Sequence, residues 1–232
     1  MNSPPRQKRR VLRHALLLAA LIPTAMLAGC NSAGQSGYGE YFKILRQAWG
    51  TQFGEGGITR DEAAAIPYAN MGYRIDGERE RIIVLATDTG GEQLWTAADH
   101  IVLVTRDGRL WRSVGLAHDL GGTALSRGSL PSPAQAIKAP FESVRQKDFP
   151  DLGLYGLALN CRAEAAARES VSILGNTIAT IRVDEKCRAP SYGWSYTDSF
   201  WIDPESGMSW KTIQHIHPKG ETIQTEIFRP PS

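Results

Sequence analysis

Long hydrophobic runs are missing from this 232-residue chain. The longest apolar segment, about Ala15 to Ala28, falls short of the ~20 residues that a membrane-spanning helix needs. Acidic residues are missing from the first 30 positions, although the chain has 24 of them. Cysteine is scarce, with three residues and no CxxC spacing, which removes the usual zinc-ribbon and thioredoxin-like readings. There is no GxSxG elbow, Walker loop, HExxH helix or EF-hand loop. The common hydrolase, nucleotidase, metalloprotease and calcium-sensor classes lose their entry points with them.

What is present begins at the N-terminus. A basic head (Arg6, Lys8, Arg9, Arg10, Arg13) precedes the apolar segment, which ends in Leu27-Ala28-Gly29-Cys30. Charged head, short apolar middle and small-residue end make an export signal. With cysteine next, the order resembles the lipobox of bacterial lipoproteins. That resemblance implies a diacylglycerol on the Cys30 sulfur, cleavage before it, and palmitate-type acylation of the new amino group. Residues 1–29 are then signal peptide, and residues 30–39, small and polar, are a flexible tether. Asn31 stands where Asp tends to retain enterobacterial lipoproteins at the inner membrane. The expected location is therefore the periplasmic face of the outer membrane. More than one acyl chain matters, because a single chain binds membranes only marginally.

Once the signal is removed, 21 basic residues face 24 acidic ones, a balance of −3. The basic pI belongs to the discarded segment, and no nucleic-acid partner follows from it. Cys161 and Cys187 remain in an oxidising compartment, where a leftover pair is most simply a disulfide. Closing that loop stabilises the fold by about 3–4 kcal/mol on the chain-entropy model.

Along the chain, Tyr41, Ile44, Leu45, Ala48 and Trp49 predict a helix over Glu40 to Gln52. Thr59 and Glu62 form a capping box for a second, stopped by Pro67. From Met71 the period shortens to two. Strands are expected over Arg81 to Asp88, Gln93 to Thr96, His100 to Thr105 and Leu110 to Val114. Asp107-Gly108 makes a two-residue hairpin turn. Residues 116–152, with Gly121-Gly122 and four prolines, read as a long central loop. Further strands follow from Tyr155: a hairpin around Gly175-Asn176, an aromatic strand from Trp194 to Asp203, and a last hairpin around Pro218-Lys219-Gly220. The expected fold is mainly β. It is an antiparallel barrel-like or sandwich meander over residues 40–232, with one or two short N-terminal helices.

Several blocks resemble the YjbF/GfcB family of lipoproteins from capsule and exopolysaccharide loci. They are Ile66-Pro67-Tyr68-Ala69-Asn70-Met71, Thr105-Arg106-Asp107-Gly108-Arg109-Leu110 and Phe200-Trp201-Ile202-Asp203-Pro204-Glu205-Ser206-Gly207. The resemblance implies a mostly β fold and a role in making or exporting a surface polysaccharide. The implied partners are an outer-membrane β-barrel protein of the export locus and the polysaccharide itself. It brings no catalytic residues with it.

The chain's own chemistry is sparse. His215 and His217 share a face two residues apart, but no third ligand is evident, and they read as surface histidines. Asp198 with Asp203, or Asp61 with Glu62, would need to face each other across a cleft at ~5–9 Å to act as glycosidase carboxylates. Turn and helix-start positions explain Asp203 and Asp61 without that. Of the six tryptophans, most are expected in the core. Tyr192, Trp194 and Trp201 are the candidates for a glycan or partner surface. No catalytic residue, metal or cofactor is assigned. The expected function is a non-enzymatic accessory lipoprotein. The alternatives are a polysaccharide-modifying enzyme and a carrier of lipid or another apolar ligand.

Overall fold

The computed structural model describes residues 57–126 and 128–231. Cys30, the tether and the helix expected over Glu40 to Gln52 lie outside the described residues. Within them, period-two alternation produces twelve strands: β1 (Asn70–Ile75), β2 (Arg81–Thr89), β3 (Glu92–Ala97), β4 (Val102–Arg106), β5 (Arg109–Val114), β6 (Gly122–Leu125), β7 (Phe141–Phe149), β8 (Leu154–Ile173), β9 (Asn176–Ala189), β10 (Trp194–Ile202), β11 (Ser209–His215) and β12 (Thr222–Arg229). One short helix, α1 (Arg60–Ala64), precedes them.

All strands join one antiparallel sheet in the order β5-β4-β3-β2-β1-β12-β11-β10-β9-β8-β7-β6. Neighbours in sequence are neighbours in space, and β1 pairs with β12. The two edges, β5 and β6, are themselves consecutive in sequence. A backbone bond from Ser113 N–H to Leu120 O, 2.9 Å, bridges the seam between them. The result is an up-and-down barrel, nearly closed, with its edge problem confined to one seam.

Antiparallel order gives the barrel two distinct ends. At the entry end the chain enters β1 and leaves β12, and the β2–β3, β4–β5, β6–β7, β8–β9 and β10–β11 connections lie there too. The remaining connections lie at the far end. At β4–β5, Asp107 and Gly108 both have positive φ (50° and 77°), as a two-residue hairpin turn requires. The β8–β9 turn sits at Leu174-Gly175, one residue earlier than the sequence suggested. The capping box at α1 is formed: Thr59 N–H donates to Glu62 Oε2 at 2.7 Å, and Glu62 N–H to Thr59 Oγ1 at 3.3 Å. Arg60 fastens the helix to the β8–β9 turn through Leu174 O at 2.8 Å.

The long loop expected over residues 116–152 is corrected. That stretch contains β6, a 3-10 turn over Pro133–Ile137 and all of β7. The alternating row of β7 reads Phe141, Ser143, Arg145, Lys147, Phe149, so charged residues occupy positions where an apolar pattern was sought. They face inward nonetheless, and Arg145, Lys147 and Phe149 are buried.

Two apolar clusters fill the interior. The larger includes Tyr73, Trp95, Phe149, Leu159 and Ile216. The smaller, toward the entry end, joins Val183, Phe200 and Ile202 to Ala136 of the 3-10 turn. The outer wall is different. Glu142, Arg162, Glu164 and Lys186 face outward on β7 to β9 and pair with one another. A transmembrane barrel shows lipid an apolar band, and this stretch of wall does not.

Candidate functional site: a buried charge belt beneath an open mouth

Between the apolar clusters lies a layer of charge. Glu185 on β9 is almost fully buried and sits between two guanidinium groups. Arg109, from β5 across the seam, reaches it with Nε at 3.3 Å and Nη2 at 3.0 Å. Arg145 on β7 holds the same carboxylate through Nη2 and also donates to Cys187 Sγ at 3.0 Å. Burial alone would raise the Glu185 pKa, but the two guanidiniums outweigh it and hold the carboxyl down at about 2. Arg109 Nη1 also donates to Pro131 O at 2.7 Å, which fixes the β6–β7 connection over the seam.

Lys147, two residues from Arg145, is buried beside the Tyr196 ring, with Nζ 5.2 Å from the centroid. Burial lowers its pKa to about 8, with Asp198 opposing the shift. Asp198 is buried as well and accepts from the His215 backbone N–H at 2.8 Å. Gln214 completes the belt. It reaches from β11 to β5 and the turn before it, accepting from Leu110 N–H at 2.8 Å and donating to Gly108 O at 2.9 Å. Backbone groups on β5 near the seam thus find a side-chain partner where a neighbouring strand would otherwise supply one.

Above this belt, at the entry end, two cavities open side by side. One of about 220 Å³ is lined by Gln93, Trp95, Thr105, Met208, Ser209 and Thr212, among others. The second, of about 240 Å³, lies between the 3-10 turn and the β10–β11 turn, with Gln135, Lys138 and Glu205 on its walls. Ser206 and Gly207 line both. In the first cavity the Trp95 indole N–H donates to Thr105 Oγ1 at 2.9 Å, and Thr212 and Thr225 share a hydrogen bond of 2.8 Å.

The far end is closed by other residues. His118, Asp151 and His217 place their ligand-type atoms within 4.8 Å of one another. Asp151 accepts from His118 Nδ1 at 2.8 Å and from His217 Nε2 at 3.0 Å. The imidazoles stack at 4.7 Å, and Phe149 packs edge-on to His217 at 5.1 Å. The trio has the residue types of a metal centre, but its hydrogen bonds oppose one. Lys219 N–H donates to His217 Nδ1 at 3.1 Å, so the ring proton belongs on Nε2. A metal at Nε2 would move that proton to Nδ1, where it would meet another N–H. The trio is better described as a latch joining the β5–β6, β7–β8 and β11–β12 connections. Burial lowers the His217 pKa, Asp151 working against the shift, and the neutral ring suits this role.

The sequence reading of His215 and His217 as surface histidines is thereby corrected for His217, which is fully buried, while His215 is half-buried against Asp198. Asp198 and Asp203 do not face each other across a cleft. The first is buried on His215, and the second caps its own turn through Glu205 N–H at 2.9 Å and Ser206 Oγ at 2.6 Å. Asp61 and Glu62 lie at the start of α1.

Tyr192, Trp194 and Trp201 are not brought together. Tyr192 is exposed in the β9–β10 turn at the far end. Trp194 turns inward onto Phe149 and Tyr196. Trp201 lies on the outer wall, its indole N–H donating to Glu169 Oε2 at 2.7 Å. Cys161 and Cys187 are directly opposed on β8 and β9 and joined by a disulfide, with Cα atoms 4.1 Å apart. Sequence reasoning missed Arg109, Arg145, Lys147 and Glu185. Their signal was present: each charge of β7 and β9 lies two or four residues from a buried Phe or Cys on the same face.

Comparisons with known proteins agree with this architecture. The family model described as "Group 4 capsule polysaccharide lipoprotein gfcB, YjbF" matches residues 54–228. The uncharacterized lipoprotein YjbF of Escherichia coli (strain K12) is 31% identical over 115 residues, 49% of this chain and 47% of the relative. The matched stretch therefore spans about half of that relative's length. The crystal structure of the hypothetical lipoprotein YmcC from Escherichia coli (K12) superposes with a TM-score of 0.66 at 18% identity, covering 85% of this chain and 98% of that one. At that identity the likeness concerns the fold.

Proposed function

The chain belongs to the YjbF family of group 4 capsule polysaccharide lipoproteins, and from that premise we propose that it is a non-enzymatic accessory factor of surface-polysaccharide assembly or export. The family points to capsule or polysaccharide assembly and to a lipoprotein of the cell envelope. The finer reading puts the acylated Cys30 in the inner leaflet of the outer membrane, with the barrel domain in the periplasm. Its partner there is an outer-membrane β-barrel protein of the export locus.

The observation that carries this reading is the family match over nearly all of the described residues, behind a lipobox-like segment. Two structural facts support the non-enzymatic half. Glu62, Asp198 and Asp203, three of the carboxylates weighed for catalysis, are committed to local partners, and the buried acid Glu185 is held ionised between two arginines. The apolar-carrier reading loses its support because side chains from both clusters and the belt fill the interior. Crosslinking in intact outer membranes, followed by pull-down of the full-length lipoprotein, tests the proposal. Recovery of a β-barrel protein of the same locus is expected. Recovery of inner-membrane components alone contradicts it. Incubation with the purified polymer should leave its molecular mass unchanged, and shortening would favour the enzyme.

A further inference from the structure

Resting on the reading of the chain as a polysaccharide-assembly factor, we propose that the two entry-end cavities are successive subsites for neutral sugar units of one glycan chain. Each cavity, at about 220 and 240 Å³, is smaller than a site for a drug-sized molecule, ~300–1,000 Å³, and suits a single sugar ring. They lie side by side with only the Ser206–Gly207 ridge shared between them, as consecutive units of a chain require.

Gly207 adds no side chain to this shared wall. A Cβ there would stand 3.5 Å from Ala134 Cβ, and φ at this position is +75°. The lining fits the ligand class. Gln93 and Ser209 offer amide and hydroxyl groups and Met208 offers apolar surface, over a floor of the buried Trp95, Thr105 and Thr212. A sugar ring needs both kinds of contact. Asp107 is the charged residue lining the first cavity, so an anionic unit would meet repulsion and no counter-charge. In the second cavity Lys138 and Glu205 balance each other. The Trp95–Thr105 and Thr212–Thr225 bonds hold that floor in place before any ligand arrives, which lowers the ordering cost of binding.

The test uses full-length mature lipoprotein in detergent micelles. The probe is oligosaccharide released by mild hydrolysis from the surface polysaccharide of the protein's own host. Amide NMR shifts should saturate at Gly108, Ser206, Gly207, Met208 and Ser209. Met208→Trp should weaken binding at least tenfold. No saturable shift overturns the proposal, as does a cluster of shifts around the exposed Tyr155 and Tyr192 at the far end, or a Met208→Trp protein that binds unchanged. The wild-type map stands alone if the variant folds poorly. These results leave the assembly role untouched, because that role is read from whether polymer reaches the surface in cells lacking the chain.

Discussion

At the far end of the barrel, Phe149 and His217 are fully covered and the Asp151 carboxylate ties three connections together. At the entry end, the turns stand around two open hollows, with the smaller apolar cluster and the ionic belt beneath them. The same alternation of residues builds both ends, yet one is closed by aromatic rings and the other ends in hydroxyls above a charge belt. The difference teaches where stability and binding reside. The closed end and the belt hold the barrel shut, and the open end has groups left over for a ligand. Substitutions should therefore have large effects on stability at the belt and small ones at the mouth.

Removing Glu185 is the strongest way to break the belt. Glu185→Ala leaves Arg109 and Arg145 buried without their carboxylate and should cost ~3–5 kcal/mol in urea unfolding at pH 7. A loss below about 1 kcal/mol would mean that the belt does not hold the barrel. The wild type carries a matching acid signature. With a folded pKa of about 2, below the ordinary carboxyl value of 4.5, Glu185 contributes stability that is complete above pH 4.5 and disappears as pH falls toward 2.

Cys161→Ser with Cys187→Ser opens a loop between residues 26 apart and should cost ~3–4 kcal/mol in the same assay. An unchanged midpoint would show that the strand pairing alone fixes β8 on β9.

Lys147→Met works in the opposite direction. The amine's folded pKa, about 8, lies below the ordinary lysine value of 10.5, so the folded state binds fewer protons between those pH values. Stability should rise with pH over that window, and the burial penalty is fully present below pH 8. The methionine variant should gain ~2–3 kcal/mol at pH 7 and lose the alkaline rise. A destabilised variant would show that Lys147 serves Asp198 more than burial opposes it.

Smaller effects separate the two ends. Asp151→Asn should speed amide hydrogen exchange over residues 116–121 while the unfolding midpoint stays close to wild type. Unchanged exchange there would remove the latch from the account. Met208→Trp at the mouth should change stability by no more than ~0.5 kcal/mol. A larger loss would make the mouth part of the core and not a vestibule.

The fold was largely legible because its information is periodic. Alternation of two, Asp107-Gly108 at β4–β5 and the Thr59–Glu62 capping box are short-range features, and the structure contains each of them. β7 was hidden for a physical reason: its inward row includes Arg145 and Lys147, and burial of a charge depends on a partner such as Glu185 forty residues away in sequence. The latch was hidden more deeply. His118, Asp151 and His217 come from three irregular connections with no shared spacing, and only barrel closure brings them together. Trp194 and Trp201 show the limit of alternation. Seven residues apart on β10, they point to opposite faces, but alternation does not say that Glu169 of the long β8–β9 hairpin engages the outward one.

The most direct measurement is the amount of polysaccharide on the surface of host cells from which this gene has been deleted, with the gene restored from a plasmid as control. The account predicts that polymer disappears from the surface of the deletion strain and returns on complementation. A deletion strain with its full surface coat would contradict it.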